Sequence, residues 1–325
     1  MIKGHKARAM GRKTATVIAG VVATVLVVGI MLPREDGTAT ETVRQAAVGE
    51  VHTGSLSVRT DRPAATETPV DPALFSTGSC VTFPPDNGPN ATGKTVFLDA
   101  GHGGMDPGGV GVTQDGTQVT EAQVNLPIEM AAMRALTADG YRVVVSRTTW
   151  GTVRRLGPGD TDGRLLTVAG SHAEVEARDI CANMGHANLL VGVYENSGGG
   201  GAAGAVTGWD SARSFSRSNY RFATLLQSDV LGELNHAGYG IPDGGVQDDS
   251  QLGSTLSARG RAYGHLVLLG PPMAGYVTTP SQMPGALIEP LFITDPFEAS
   301  VADSSRGQRL IADGIAKAVS QYFSG

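Results

Sequence analysis

Three residues of this chain stand where chemistry needs them. The first is His102, inside Asp99-Ala-Gly-His-Gly-Gly-Met-Asp-Pro-Gly-Gly109. It directly follows the short apolar run Thr95-Val-Phe-Leu98, which reads as a buried strand. The flanking glycines let the backbone turn sharply. Ligands of α/β sheets bind at the carboxyl ends of strands, so this imidazole is well placed. Gly101 and Gly103 make a G-x-G, but Pro107-Gly-Gly109 follows where a phosphate-binding helix would have to begin. A Rossmann loop is therefore excluded. The second residue is Glu121, at the start of a predicted helix over 121–139. Alone, a carboxylate there is explained by the helix dipole. The third is Glu289, in Leu287-Ile288-Glu289-Pro290-Leu291-Phe292-Ile293. Carboxylates are seldom buried unless they are paired or bound to metal. A group that ends an apolar strand therefore has a function, or it pairs with Arg147 or Arg178.

These residues need elements to position them. Val124, Ile128, Ala132 and Leu136 recur at helical spacing, and Gly140 follows as a stop. Strands are predicted at Thr95–Leu98, Tyr141–Val145, Leu189–Val193, Leu266–Leu269 and Ala286–Ile288. Helices are predicted over 173–186, 219–237 and 305–323. Alternating strands and helices predict an α/β fold, a three-layer domain over 94–325 with a mostly parallel or mixed central sheet flanked by helices. No internal repeat is present.

Five ordered motifs carry a resemblance. They are Val96–Gly104 with Asp106-Pro107-Gly108, Glu121-Ala-Gln-Val-Asn125-Leu126, Gly140–Arg147, Arg178–Asn183 and Met283-Pro284-Gly-Ala-Leu287-Ile288-Glu289. With them the chain resembles the zinc-dependent N-acetylmuramoyl-L-alanine amidases of the amidase-3 family, from about Thr95 to Phe323. The resemblance implies hydrolysis of the amide between N-acetylmuramic acid and L-alanine of the peptidoglycan stem peptide. It implies zinc held by His102, Glu121 and a third ligand, with Glu289 as the catalytic base. The family's third ligand is a histidine in Ser-Ile-His-Ala-Asn, where this chain has Gly192-Val193-Tyr194-Glu195-Asn196. Tyr194 takes the histidine's place and is the expected third ligand. Its ionisation at neutral pH costs about 4 kcal/mol, which a metal bond must overcome. Glu195 and His172 are the other candidates. A domain that keeps the fold but only binds cell wall or a partner, and regulates, is the alternative reading.

The chain has 325 residues and a formal net charge of −6. Residues 1–34 hold six Lys/Arg and no acid, which leaves the remainder at a net −12. That balance excludes a nucleic-acid binder. Residues 15–32 form an 18-residue apolar run behind five basic residues. This predicts a transmembrane signal anchor, with residues 1–14 cytoplasmic and the rest extracytoplasmic, a cleaved signal peptide being the rival reading. The membrane is then a partner through that helix. Residues 33–93, rich in Pro, Thr, Ala and acids, read as a linker. The two cysteines, Cys80 and Cys181, exclude a disulfide-dense scaffold and a four-cysteine zinc site. In an oxidising compartment they are expected to pair.

Overall fold

The computed structural model describes residues 71, 73–86, 92–252 and 257–325. In chain order, β1 (Ser79–Phe83), β2 (Thr95–Ala100), the hairpin β3 (Val110–Val112) and β4 (Gln118–Thr120), α1 (Glu121–Ala138) and β5 (Arg142–Arg147) come first. They are followed by α2 (Val168–Met184), β6 (Leu189–Val193), β7 (Ala205–Trp209), α3 (Ser216–His236) and β8 (Asp243–Asp248). The chain ends with α4 (Ala258–Tyr263), β9 (Gly285–Glu289), α5 (Pro296–Asp303) and α6 (Ser305–Ser324).

Seven strands form one mixed sheet in the order β1-β5-β2-β6-β9-β7-β8. Its centre, β5-β2-β6-β9, is parallel. β1 closes one side antiparallel to β5, and β7 runs antiparallel to β9. Side chains alternate across the sheet. Val96 and Leu98 join the core under α1, α3 and α6, while Phe97 faces Ala177, Cys181 and Ala182 of α2. The result is the three-layer arrangement expected. Thr120 starts α1 with a reciprocal capping box to Gln123, which fixes where Glu121 begins the helix.

Three details differ from the sequence reading, and the pairing of the two cysteines that it expects is present. β1 lies inside the stretch expected to be linker, and Phe75 ahead of it is 2% exposed. The folded unit therefore begins well before residue 94. Cys80 of β1 is bridged to Cys181 of α2. Leu266–Leu269 is a turn and not a strand; Leu268 and Leu269 are buried in the core on the α2 side. A short apolar run signals burial without fixing the backbone. β7 and β8 were not anticipated, because glycines interrupt their alternation. The apolar segment 15–32 lies outside the described residues. Among the described residues, no helix is long and apolar enough to cross a membrane.

Candidate active site

His102 sits in the loop that leaves β2, with φ +62, a left-handed conformation for a residue that carries a Cβ. Two buried arginines hold that loop. Arg147 donates from Nε to Ala100 O (3.2 Å) and from Nη2 to Gly101 O (3.2 Å) and Ala122 O (3.0 Å). Arg178 donates to Ala100 O (2.7 Å) and His102 O (2.8 Å), and pairs with Asp99. Asn125 adds a donor to Gly101 O, and Glu129 accepts from Ala100 N. The backbone around His102 is thus bonded by side chains from three different elements. Neither arginine pairs with Glu289. The sequence names both arginines as candidate partners for that glutamate and as members of the motifs Gly140–Arg147 and Arg178–Asn183, without assigning either a contact to the His102 loop. Their true role was hidden because their long side chains fold back over strand ends far away in sequence.

The His102 imidazole lies between two carboxylates. Nδ1 is 2.9 Å from Asp106 Oδ2, and Nε2 is 3.1 Å from Glu121 Oε2. Glu121 Oε1 also accepts from Gly109 N at 2.6 Å. A Cβ on Gly108 would come within 2.6 Å of the imidazole, so only glycine lets the loop pass this closely. Burial works against charge on His102, but the carboxylates of Glu121 and Asp106 outweigh it and hold its pKa up, to about 10. Asp106 is pulled down to about 2, its burial outweighed by the imidazole and the Gly108 amide.

Glu289 ends β9, and its carboxylate is half-buried. Asn196 Nδ2 donates to its Oε2 at 2.9 Å. Burial, together with the charge of Glu121, pushes Glu289 up to about 8 against the pull of His102. His102, Glu121 and Glu289 are thus brought together at the carboxyl ends of β2 and β9 and the first turn of α1.

Tyr194 lies beside this group with its hydroxyl turned away. It donates to Asp99 Oδ2 at 3.0 Å, and its ring stands edge-on to His102 at 5.5 Å. The ring fills the space beside Gly101, where a Cβ would meet it at 2.4 Å. Burial and the Asp99 carboxylate raise its pKa well above the ordinary phenol value. In this arrangement the Tyr194 hydroxyl is engaged as a donor to Asp99. His172 is engaged elsewhere: its Nε2 lies 2.7 Å from Tyr276 O and its ring stacks on Tyr276 at 4.2 Å. Glu195 is 2% exposed, and neither carboxylate oxygen has a hydrogen-bond partner. Burial raises its pKa well above the usual range, and the carboxylates of Glu121, Glu298 and Glu289 raise it further.

The donor set fits a metal cation. Asp106 on Nδ1 leaves Nε2 of His102 facing Glu121, the usual way a carboxylate orients a ligating histidine. Burial and the neighbouring carboxylates hold protons on Glu195 and Glu289 in the metal-free chain, protons that a bound cation would replace, and the Glu195 carboxyl oxygens have no hydrogen-bond partner.

A family model for N-acetylmuramoyl-L-alanine amidases matches residues 96–321. The chain belongs to that family. It is a peptidoglycan hydrolase, cleaving the amide between N-acetylmuramic acid and the L-alanine of the stem peptide. Among relatives, the uncharacterised protein YqiI of Bacillus subtilis (strain 168) is 30% identical over 231 residues, 71% of this chain and 85% of that protein. The germination-specific N-acetylmuramoyl-L-alanine amidase of the same organism is 25% identical over 233 residues, 72% of this chain and 81% of that protein. The CwlD amidase from Clostridioides difficile, solved in complex with the GerS lipoprotein, shares the fold with a TM-score of 0.52 at 19% identity. That match covers 71% of this chain and 98% of that one.

Proposed function

We propose that this amidase is a zinc enzyme on the extracytoplasmic side of the cell membrane, anchored by residues 15–32 and working on cell wall outside the cytoplasm. The Cys80–Cys181 bridge supports an oxidising compartment. The basic residues ahead of the apolar run support an inward-facing N-terminus.

The observation that carries the zinc reading is the His102–Glu121 pair, poised between Asp106 and Glu289. In the proposal His102 Nε2 and Glu121 hold the ion. For the third ligand we assign Glu195 over Tyr194. The tyrosine would have to lose its proton beside Asp99, whereas the Glu195 carboxylate has no partner to give up. Bound zinc would supply Lewis acidity toward the amide carbonyl and the attacking water. Glu289 accepts a proton from the water on its free oxygen and returns it to the departing amine nitrogen. Burial raises its pKa above the usual carboxylate range, which suits a group that both takes and returns a proton. Asn196 holds the other oxygen and so fixes which face of the carboxylate is presented. Asp106 keeps the His102 ring oriented, and the two arginines keep its backbone still.

The test is hydrolysis of purified sacculi by the Glu289→Gln variant. A loss of about 100-fold or more in rate is expected for a missing general base. Zinc content should be kept. Undiminished hydrolysis would remove Glu289 from the mechanism.

A further inference from the structure

Far from the amidase centre, two buried aspartates and a histidine converge. Asp210 follows β7, Asp249 opens a single 3-10 turn after β8 (Asp249–Gln251), and His265 follows α4. Because β7 is antiparallel to β9, with Val206 opposite Glu289, Asp210 lies at the other edge of the sheet. Four residues of strand separate the two levels, roughly 13 Å. Asn219 marks the position: it donates to Asp210 O and accepts from Gly285 N, at the opposite end of β9 from Glu289.

Both aspartates are fully buried. His265 Nδ1 lies 2.8 Å from Asp210 Oδ2 and 3.0 Å from Asp249 Oδ1. The remaining carboxylate oxygens are held by backbone amides, Asp210 Oδ1 by Ala212 N at 2.8 Å and Asp249 Oδ2 by Leu266 N at 3.0 Å. Those amides aim the two inner oxygens at one point. A ring nitrogen carries at most one hydrogen, so it cannot serve both. Asp210 Oδ2 is left without any hydrogen bond. The nearby cation does not make up the deficit: Arg213 gives its guanidinium to the carbonyls of Leu269, Gly270 and Ser281. A proton on His265 would leave two buried carboxylates facing one charge, and burying unbalanced charge is costly. Among the described residues, this is the group that brings three such donor atoms within 4.8 Å of one another.

We infer that Asp210, Asp249 and His265 form a second binding site, for a divalent ion of the zinc class, at the edge of the sheet opposite the amidase centre. One imidazole with two carboxylates suits zinc, and the histidine argues against calcium or magnesium. Half-buried His265 leaves a way in from solvent. The ion ties the end of β7 to the turn after β8, the outermost strand, which is paired only through β7. Its role is to fasten that edge.

The experiment uses the full-length chain with His102→Ala and Glu121→Gln, which removes the catalytic pair. This keeps the result independent of the amidase-centre proposal. The protein is equilibrated with zinc chloride, desalted and analysed by elemental mass spectrometry. About one zinc per chain is expected, as three protein ligands would hold it through desalting. Adding Asp249→Asn or, at the more exposed position, His265→Gln should lower that occupancy about tenfold or more. Cobalt(II) loaded in place of zinc should show a visible absorption band that His265→Gln abolishes, which reads the imidazole ligand directly. Zinc-free protein, or occupancy unchanged by both substitutions, would overturn the inference.

Discussion

At the residue scale, the pair Tyr194 and Glu195 decides how this amidase differs from its resemblance. The tyrosine hydroxyl is spent on Asp99, and the glutamate next to it is buried without a partner. Tyr194→Phe is therefore expected to keep zinc at the amidase centre, and Glu195→Gln to weaken retention about tenfold or more. Metal content of His265→Gln backgrounds isolates this centre from the other. Equal zinc loss in both variants would return the tyrosine to the ligand set. His102 and Glu289 stood out in sequence because each sits beside a strong local signal, a glycine loop and a strand end; Glu121, at a helix start, gained a role only through the family resemblance. Asp106, Asn196 and the two arginines were not read as parts of the site. Their contacts join positions that only the folded sheet brings together. Asp210, Asp249 and His265 carry no sequence signal at all, being 39 and 16 residues apart in loops that follow separate elements.

At the scale of elements, the bridge from β1 to α2 is the feature that most changes the reading. It closes a loop of 101 residues. A crosslink of that length stabilises by about 3–5 kcal/mol, chiefly through the unfolded chain. Replacing Cys80 and Cys181 by alanine should lower the unfolding free energy by that amount, read as a downward shift of the urea midpoint, and an unchanged midpoint would show that β1 packs securely without it. Core strands β2, β5, β6 and β9 were readable because parallel strands covered on both faces are continuous apolar runs. The edge strands were not. β1 hides among prolines, and Asp-Gly-Gly-Val-Gln-Asp of β8 is half-exposed with little apolar pattern. The turn at Leu266–Leu269 shows the converse, an apolar run buried without strand geometry.

At the scale of the whole molecule, buried acids set the response to pH. Burial pushes Glu129 up to about 8 despite Arg147 nearby, Glu289 rises to about 8, and Asp179 and Glu195 rise well above the usual range. In the unfolded chain these groups ionise near pH 4. Between there and about 8 the folded, metal-free chain binds more protons than the unfolded one, so stability falls as pH rises. His102 acts in the same direction, its folded pKa of about 10 standing above the unfolded 6.5. The metal-stripped protein should therefore melt several degrees lower at pH 8.5 than at pH 6, at about 2–4 °C per kcal/mol. Zinc should recover more of the loss at the higher pH. A melting temperature that is flat or rising over that interval would contradict the protonation states argued for these acids.

The Cys80–Cys181 bridge also has a mechanical meaning. The segment ahead of residue 80 joins the domain through β1, paired with β5, and through Leu74–Ser76, which bonds to residues 153–155 and buries Phe75. Without the bridge, tension arriving from that side would be carried by these two short ladders and the packing of Phe75. With the bridge, the pull passes covalently into α2, the helix that carries Arg178 and so grips the His102 loop. The bridge thus makes α2 a strut, and the edge ladders can yield while residue 80 stays joined to the body of the domain.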